Sequence, residues 1–320
     1  MTRPARVLVT GGAGFVGSTL VDRLLAEGRE VVVLDGFDPF YAEALKRENL
    51  AAAMGARNFR LEVGDLRDPA AVARAVECCD GVVHLAALAG VRPSLERPAE
   101  YADVNVRGTA IVAEAMLRAG VRRMVFASSS SVYGEREQAS GPFRESDPVE
   151  RPVSPYAATK RAGELLLHSF HHAEGLAVTC ARIFTAYGPR QRPDLAIRKF
   201  AERMRAGQTI PVYGDGEATR DFTYVDDLVD ALVRALDAGL GFAILNFGAG
   251  RTVRLLDVIA ELERALGVPA RIEWLPRQTG DVSRTWADVS AAQAALGWAP
   301  KVALEEGIAR FAHWLQGRAS

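Results

Sequence analysis

A glycine-rich turn near the start of the chain constrains its fold more than any other feature. The apolar run 7–9 (VLV) leads into residues 10–17 (TGGAGFVG), and residues 15–27 then follow a helical period. Glycine is needed where the backbone turns tightly, where it approaches a pyrophosphate and where the helix packs on the strand. The free N–H groups of the helix N-terminus then bind phosphate. A strand, this glycine spacing and a helix in succession predict the first unit of a dinucleotide-binding sheet.

Short apolar runs alternate with helical patterns through the first half of the chain. A long helix is predicted over Tyr101–Ala119, where Gly120 ends it. Further strands are predicted at residues 31–34, 59–63, 81–85, 123–127 and 177–181. Continuous Val/Ile/Leu runs between helices indicate a parallel sheet that is covered on both faces. Right-handed crossovers then give a doubly wound α/β fold of the Rossmann type.

After Tyr187 the pattern changes, because prolines interrupt it and the strands become short. Strands are predicted at residues 210–212, 244–247 and 271–274, and helices at 253–266 and 304–315. We therefore expect an NAD-binding Rossmann domain over residues 1–186 and a smaller C-terminal α/β substrate-binding lobe over residues 187–320, with elements that can interleave. The cleft between them, at the carboxyl edge of the sheet, is the expected ligand site.

The composition excludes several classes of function. Lys and Arg number 39 against 40 Asp and Glu, so no basic excess indicates a nucleic-acid partner. No apolar run reaches the roughly 20 residues that span a bilayer, so no membrane partner is expected. Cys78, Cys79 and Cys180 lack the spacing of a zinc site, and no metal is expected. A chain with so few cysteines is expected in the reducing cytoplasm.

Asp35 ends the second predicted strand and indicates which dinucleotide is bound. A carboxylate there accepts both hydroxyls of the adenosine ribose and repels a 2′-phosphate. Gly36 follows it and offers no basic side chain, so NAD is expected rather than NADP. The alternative is an ordinary surface aspartate. After the third strand, Asp65 and Leu66 are placed to hold the adenine edge, although a helix N-cap at Asp65 or Asp68 fits the same pattern.

Polar side chains that can move a proton follow the fifth predicted strand. It runs into four serines at 128–131, and Tyr156 lies four residues before Lys160 on one helix face. Because a nearby ammonium stabilises a phenolate, we expect the pKa of Tyr156 to fall from about 10 toward neutrality. The phenol can then exchange a proton with a sugar hydroxyl while hydride moves to nicotinamide, with Ser129 on the same oxygen. Such a pair also occurs on ordinary helices, and serine runs occur in loops.

Together these residues resemble the extended short-chain dehydrogenase/reductase family. The resemblance rests on the glycine spacing of residues 10–17, on Ser129 and on Tyr156-x-x-x-Lys160. It covers nearly the whole chain, because residues 220–227 and 280–281 also match. The resemblance implies a catalytic triad of Ser129, Tyr156 and Lys160, and a Rossmann domain joined to a nucleotide-sugar-binding lobe. It also implies a homodimer that pairs the helices 101–119 and 156–172.

The resemblance also assigns binding roles. NAD contacts are implied for Gly11, Gly14, Phe15, Val16, Gly17, Asp35, Asp65, Leu66, Leu85, Ala86, Ala87, Asn105, Tyr156, Lys160 and Ile183. Contacts with a UDP-sugar are implied for Gly90, Arg92, Ser129, Ser130, Ser131, Tyr156, Thr185, Arg192, Pro211, Tyr213, Arg220, Gln278 and Asp281. Of these, Pro211 and Tyr213 would hold uracil, and Arg220, Gln278 and Asp281 the ribose and diphosphate. The alternatives are a surface ion pair of Arg220 with Asp221, and plain packing of Tyr213 between the lobes.

Few residues separate the members of this family. The 4,6-dehydratases carry Thr-Asp-Glu where this chain has Ser129-Ser130-Ser131, and UDP-glucuronate decarboxylases usually carry Glu at the position of Ser131. The resemblance therefore leaves 4-epimerisation of a UDP-sugar. Residues 35–50, 89–94 and 182–194 resemble segments of UDP-glucuronate 4-epimerases.

A uronate needs a partner for its carboxylate. An arginine fork supplies paired donors, so Arg192 is expected to bind it, with Ser130, Ser131 and Thr185 as neutral partners. Arg190 and Arg192 also fit solvated loop charges or contacts with the diphosphate. Other functions stay open at this point: a UDP-glucose or UDP-N-acetylhexosamine 4-epimerase, a UDP-glucuronate decarboxylase, or a non-catalytic NAD-sensing protein.

Overall fold

Seven parallel strands form the central sheet of the chain. The computed structural model describes residues 3–135, 141–276 and 282–318. In chain order the strands are β1 (Arg6–Thr10), β2 (Glu30–Asp35), β3 (Phe59–Val63), β4 (Gly81–His84), β5 (Arg123–Ser129), β6 (Ala177–Ile183), β7 (Thr185–Tyr187), β8 (Ile210–Tyr213), β9 (Thr219–Arg220), β10 (Phe222–Tyr224), β11 (Phe242–Phe247), β12 (Val253–Arg254) and β13 (Ile272–Leu275). The helices are α1 (Phe15–Ala26), α2 (Glu43–Asn49), α3 (Pro69–Val76), α4 (Val91–Glu96), α5 (Pro98–Ala102), α6 (Gly108–Arg118), α7 (Pro155–Glu174), α8 (Ala196–Arg205), α9 (Val225–Ala238), α10 (Leu255–Leu266), α11 (Ser290–Leu296) and α12 (Leu304–Gln316). Among the helices of these described ranges, none has both the length and the apolar character needed to cross a bilayer.

The central sheet confirms the predicted Rossmann-type fold. Its strand order is β11-β6-β5-β4-β1-β2-β3, and every neighbouring pair is parallel. Successive side chains of a strand point to opposite faces. Val7 and Val9 accordingly pack with α1 and α9, while Leu8 packs with α3 and α6 on the other face. Helices cover both faces, and the carboxyl ends of the strands share one edge.

The strand predicted at residues 244–247 belongs to this sheet and not to the smaller lobe, where the sequence pattern placed it. β11 pairs in parallel with β6, with Phe242 opposite Val178 and Phe247 opposite Ile183. Without this partner, β6 would expose an unpaired row of backbone polar groups. A strand from late in the chain covers that edge, so the two halves of the chain interleave.

The helix predicted over residues 101–119 is divided. α5 ends at Ala102, a π-helical turn covers Asp103–Arg107, and α6 begins at Gly108. The side-chain amide of Asn105, within the turn, donates to the carbonyl of Leu88 at 3.0 Å and accepts its N–H at 2.8 Å. The irregular turn is therefore tied to the loop after β4. Helical periodicity carries no information about such a contact.

The smaller lobe lies at the carboxyl ends of the central strands. Its short strands pair as β8 with β13, β7 with β10 and β9 with β12. Asp221, between β9 and β10, is fully buried and accepts the backbone N–H groups of Ala249, Gly250 and Ala287 at 2.5 to 3.0 Å. Because Ala249 and Gly250 directly follow β11, this carboxylate ties the lobe to the central sheet.

Candidate active site

The glycine turn forms a cradle with no room for side chains. A Cβ on Gly17 would lie 2.2 Å from the carbonyl oxygen of Gly11, and one on Gly11 would lie 2.8 Å from the amide nitrogen of Ala86. Gly11 also has a φ of 70°, which glycine adopts without strain. Among the described residues, no side chain caps the first turn of α1, which leaves its N–H groups able to bind an anion. The turn therefore fits the diphosphate of a dinucleotide.

A cavity of about 550 Å³ extends from this turn along the carboxyl edge of the sheet. Its wall contains the predicted NAD contacts Gly11, Gly14, Phe15, Val16, Gly17, Asp35, Asp65, Leu66, Leu85, Ala86 and Ala87. Asn105 lies behind the wall, where its amide bonds Leu88 and donates to the hydroxyl of Thr159 at 3.0 Å. Asn105 therefore supports the wall, and its direct contact with NAD stays a prediction. Ile183, at the end of β6, is half-buried beside Ser129 in the strand register.

The carboxylate of Asp35 is fixed before any ligand reaches it. It accepts the N–H of Ala13 at 2.9 Å and that of Phe37 at 2.8 Å, and it lines the cavity at the end of β2. Each carboxylate oxygen can accept further hydrogen bonds, as two ribose hydroxyls require. Asp68, not Asp65, caps α3, since its carboxylate accepts the N–H of Ala70. Asp65 is in the cavity wall instead, as predicted for an adenine contact.

A basic side chain from further along the chain also lines this cavity, which the sequence did not indicate. Lys46 of α2 is buried in the wall, and its ammonium donates to the carbonyl of Asp38 at 2.6 Å. Burial lowers the pKa of Lys46, and the negative charge of Asp35 partly opposes that change. The sequence interval of eleven residues did not indicate this neighbour, because the path of residues 36–42 brings Lys46 to the wall that Asp35 lines.

The three predicted catalytic residues come together at the end of β5. Ser129 ends that strand, and Tyr156 and Lys160 lie in the first turns of α7, whose N-cap Ser154 accepts the N–H of Ala157. The ring of Tyr156 packs edge-on against Tyr101, which lines the cavity. The ammonium of Lys160 donates to the carbonyl of Ala127 at 2.8 Å. The phenol is thus beside the cofactor cavity, as the proposed chemistry requires.

The expected low pKa of Tyr156 is wrong for this structure. Burial raises the pKa above the ordinary value, while hydrogen bonding from Ser129 and the positive charge of Arg192 oppose the rise. Lys160 does not dominate, because its ammonium turns to the carbonyl of Ala127 and lies 5.9 Å from the centroid of the Tyr156 ring. Burial also lowers the pKa of Lys160 itself to about 8. The i,i+4 spacing predicted a shared face correctly, but it does not contain the degree of burial.

The serines after β5 form a short hydrogen-bonded turn. Ser130 and Ser131 open a 3-10 turn, and the hydroxyl of Ser129 accepts the N–H of Ser131 at 3.2 Å and donates to its hydroxyl at 3.1 Å. No carboxylic acid stands at these three positions. Gly90 has a φ of 106° and immediately precedes α4, so it shapes the chain that carries Arg92.

A second cavity, of about 370 Å³, is lined by Arg92 and by residues between 185 and 282. Its wall contains five of the predicted substrate contacts: Arg92, Thr185, Pro211, Tyr213 and Arg220. The guanidinium of Arg92 lies 5.2 Å from the ring centroid of Tyr213. An aromatic ring can pack on a base, and guanidinium groups suit phosphate, so this wall fits a nucleoside diphosphate.

Arg220 contacts backbone carbonyl groups at the wall of the second cavity. Its guanidinium donates to the backbone carbonyls of Thr219 and Ser283 at 2.9 and 3.3 Å, and it lines the second cavity. The alternative of a surface ion pair with Asp221 does not hold, because that carboxylate is fully buried. Gln278 and Asp281 lie outside the described residues, so their roles remain predictions.

Arg192 stands between the two cavities. It lines the cofactor cavity, while Asp194, its partner, lines the second cavity. The two form a bidentate pair, with Nε to Oδ1 at 2.9 Å and Nη2 to Oδ2 at 2.8 Å. Its positive charge acts on the phenol of Tyr156, so it is close to the reacting centre. The neighbouring Arg190 is not a free loop charge, since it pairs with Asp22 of α1 at 2.7 Å.

Three residues of this site escaped the sequence analysis. Lys46 lines the cofactor cavity, Tyr101 packs on the catalytic phenol, and Glu164 is buried further along α7. Glu164 follows Tyr156 and Lys160 at the next interval of four, so its spacing was a usable signal. Lys46 and Tyr101 gave no such signal, because tertiary contacts alone bring them here.

The chain is similar to proteins of one family. The sequence profile of the NAD dependent epimerase/dehydratase family matches residues 7–248. A UDP-glucuronate 4-epimerase from Thermodesulfobacterium geofontis is 40% identical over 310 residues, which are 96% of this chain and 95% of that protein. The structure of UDP-glucuronic acid 4-epimerase from Bacillus cereus, in complex with UDP-glucuronic acid and NAD, has a TM-score of 0.92 at 33% identity and covers 98% of this chain and 99% of its own. A UDP-glucose 4-epimerase from Thermotoga maritima, with UDP-glucose, has a TM-score of 0.88 at 33% identity and the same coverage.

Proposed function

The chain belongs to the NAD dependent epimerase/dehydratase family, and we propose that it is an NAD-dependent isomerase that interconverts UDP-glucuronate and UDP-galacturonate at C4. One observation carries this proposal: Ser129, Tyr156 and Lys160 lie beside a dinucleotide-shaped cavity, next to a second cavity suited to a nucleoside diphosphate. The glycine cradle and the carboxylate of Asp35 fit NAD.

The glycine cradle and Asp35 would hold NAD, which when bound would supply a reversible hydride acceptor for C4, so that a full turnover would consume none. The side chains of the protein then have to transfer a single proton, that of the C4 hydroxyl. The phenolate form of Tyr156 takes the proton of the C4 hydroxyl, and the phenol that results gives it back after the keto sugar has turned its other face. The hydroxyl of Ser129 hydrogen-bonds the same oxygen, and the buried charge of Lys160 stabilises the negative charge that develops there.

The serine turn argues against the other reactions of the family. Eliminating water from C5 and C6 needs an acid near the sugar, and residues 129–131 are all serine. A 4-keto uronate loses carbon dioxide easily when its breaking bond aligns with the carbonyl π system. We infer that Arg192, with Ser130, Ser131 and Thr185, holds the carboxylate away from that alignment. The position of Arg192 near Tyr156 supports this assignment.

A neutral UDP-hexose is the second candidate, and the Arg192–Asp194 pair is the observation that favours it. A guanidinium already held by a carboxylate at 2.8 to 2.9 Å has less positive charge to offer a uronate. If the guanidinium of Arg192 stays paired with Asp194, the site accepts UDP-glucose or a UDP-N-acetylhexosamine. If the guanidinium turns to the substrate, the site selects the uronate. The ratio of kcat/KM for UDP-glucuronate and UDP-glucose decides between them.

The test is to incubate the purified protein with UDP-glucuronate and to resolve the products by mass and chromatography. We expect UDP-galacturonate, with no net change in NAD. A UDP-pentose as main product would identify a decarboxylase. No conversion of UDP-glucuronate or UDP-glucose would contradict the proposal and favour a sensing protein. Tyr156→Phe serves as the control, since it keeps the ring and removes the proton carrier.

We also propose a homodimer in which α5, α6 and α7 pair with their copies. An exposed apolar side chain on this surface supports it, namely Leu165 on α7, which is 56% exposed. Burying such a group against a second copy removes it from water. Light scattering should give twice the chain mass, and Leu165→Lys should shift the protein toward the monomer.

A cytoplasmic location is also proposed for this protein. The free thiols of Cys78, Cys79 and Cys180 support it, because thiols stay reduced in that compartment. Fractionation of cells that express a tagged copy would test the location.

A further inference from the structure

A buried carboxylate on the catalytic helix has no part in the mechanism above. Glu164 follows Tyr156 and Lys160 by one further interval of four residues, so the three side chains share one face of α7. Its side chain is fully buried. An ionised group is rarely placed in the interior unless it is paired, which directs attention to its partners.

Four hydrogen bonds converge on this carboxylate. Oε1 accepts the hydroxyl of Ser128 at 2.6 Å and Nε of Arg182 at 2.9 Å. Oε2 accepts Nη2 of Arg182 and Nη1 of Arg161, both at 2.9 Å. Burial alone would raise the pKa of Glu164, but Arg182, Ser128 and Arg161 together outweigh burial, so the pKa is lowered and the group stays ionised.

The partners belong to two neighbouring strands. Ser128 of β5 and Arg182 of β6 lie opposite each other in the strand register, and both immediately precede the residues that end these strands, Ser129 and Ile183. Glu164 therefore links the helix that carries Tyr156 to the strand that carries Ser129. The link is rigid, because Arg182 forms a bidentate pair and also lies 4.8 Å from the ring centroid of Tyr133.

Three successive residues of β5 thus meet three residues of one helix face. The carbonyl of Ala127 accepts Lys160, the hydroxyl of Ser128 donates to Glu164, and Ser129 is close enough to Tyr156 to lower the pKa of its phenol. The middle link, between Ser128 and Glu164, fixes the position of α7 along β5. The two outer links join groups that act in the reaction, whereas the middle one touches neither cavity.

We infer that Glu164 is a positioning residue: through Ser128 and Arg182 it fixes α7 against β5 and so holds the phenol of Tyr156 at the hydroxyl of Ser129. This inference rests on the proposed epimerase function for its kinetic part only. A shift of about 1 Å between reacting groups can lower a rate by about 100-fold, so a loosened helix has a measurable cost.

The variant must remove the link without leaving a charge alone in the interior. Breaking a buried pair by removing one partner costs about 3–5 kcal/mol, whereas replacing both partners by apolar groups is often neutral. Glu164→Leu combined with Arg182→Met is therefore the main variant. Ser128→Ala, which removes only the strand side of the link, is the second. Arg161→Met is the matched control, since Arg161 bonds the same carboxylate but belongs to α7 itself.

The kinetic experiment measures kcat and KM for the UDP-sugar that the unmodified protein turns over. We expect the double variant to lose about 10- to 100-fold in kcat with KM changed by less than about 3-fold. Ser128→Ala should lose less, and Arg161→Met should match the unmodified protein. Equal kcat in all four folded proteins would overturn the inference. So would an equal loss in Arg161→Met, because the effect would not then depend on the link to β5.

A second readout does not need turnover. Ser129 lowers the pKa of Tyr156, and the other charged or titratable groups near the phenol are Arg192, Lys160 and Tyr101. Loosening the link should raise the pH at which the Tyr156 phenolate forms. It is measured as ultraviolet absorbance of each protein minus that of its Tyr156→Phe counterpart. An unchanged midpoint in the double variant would overturn the inference, even if the protein turned over no UDP-sugar at all.

Discussion

The buried ammonium of Lys160 should make stability depend on pH in a way that one substitution removes. The side chain is 4% exposed, and burial lowers its pKa from 10.5 to about 8. The folded state then binds fewer protons than the unfolded state between these two values, so stability rises as pH rises from about 8 to 10.5. Folding places a charged Lys160 in the interior, which lowers the free energy of unfolding. At alkaline pH the side chain loses its proton and this destabilisation disappears.

The size of this effect follows from the two pKa values. At 1.36 kcal/mol per unit, a shift from 10.5 to about 8 corresponds to about 3 kcal/mol of destabilisation at pH 7 and about 1 kcal/mol at pH 10. Lys160→Met has no such charge. The difference in unfolding free energy between unmodified protein and variant should therefore change by about 2 kcal/mol between these two conditions, in favour of the unmodified protein at the higher pH.

The assay is urea unfolding of the cofactor-free proteins at both pH values, followed by fluorescence. Comparing the proteins with each other at each pH cancels the titration of every other group. Lys301→Met is the control, because its backbone N–H bonds Asp227 while its side chain is exposed. The reasoning is refuted if Lys160→Met and the unmodified protein lose or gain stability in parallel over this range. The variant should also be nearly inactive, since the charge that destabilises the fold serves the reaction.

Three further predictions concern the reacting centre. Tyr156→Phe should lower turnover by about 10²–10⁴-fold while UDP-sugar binding by calorimetry is retained, and near-normal turnover would show that another group moves the proton. Asp35→Ala should weaken NAD binding by roughly 10- to 150-fold and relax the preference over NADP, with Lys46 near the freed site; equal affinity for both cofactors before mutation would contradict this assignment. Arg192→Ala should lower UDP-glucuronate turnover by roughly 10- to 150-fold, cost UDP-glucose far less and release some 4-keto pentose, measured by mass; an equal loss on both sugars would place Arg192 on the diphosphate.

Local patterns in the sequence determined much of the architecture. The glycine spacing after β1 predicted the cradle, since only glycine tolerates the close approach of Gly17 to the carbonyl of Gly11. The spacing of Tyr156 and Lys160 predicted a shared helix face. These features repeat at fixed intervals set by backbone geometry, so they can be interpreted without knowing the rest of the fold.

The tertiary structure alone decided how those local pieces meet. The strand predicted at 244–247 lies in the central sheet, where it pairs with the edge of β6 that would otherwise be open. The tertiary structure also brought Lys46 to the carboxylate of Asp35 through the path of a loop, and it divided the helix around Asn105.

Burial and charge pairing likewise could not be predicted from the sequence. Tyr156 has a raised pKa because burial disfavours the charged phenolate, and the ammonium of Lys160 turns to a strand carbonyl rather than to the phenol. Arg192 reaches the reacting centre already paired with Asp194. A residue's spacing gives its direction on a helix or strand, but its solvation and partners depend on chain segments that lie far away in the sequence.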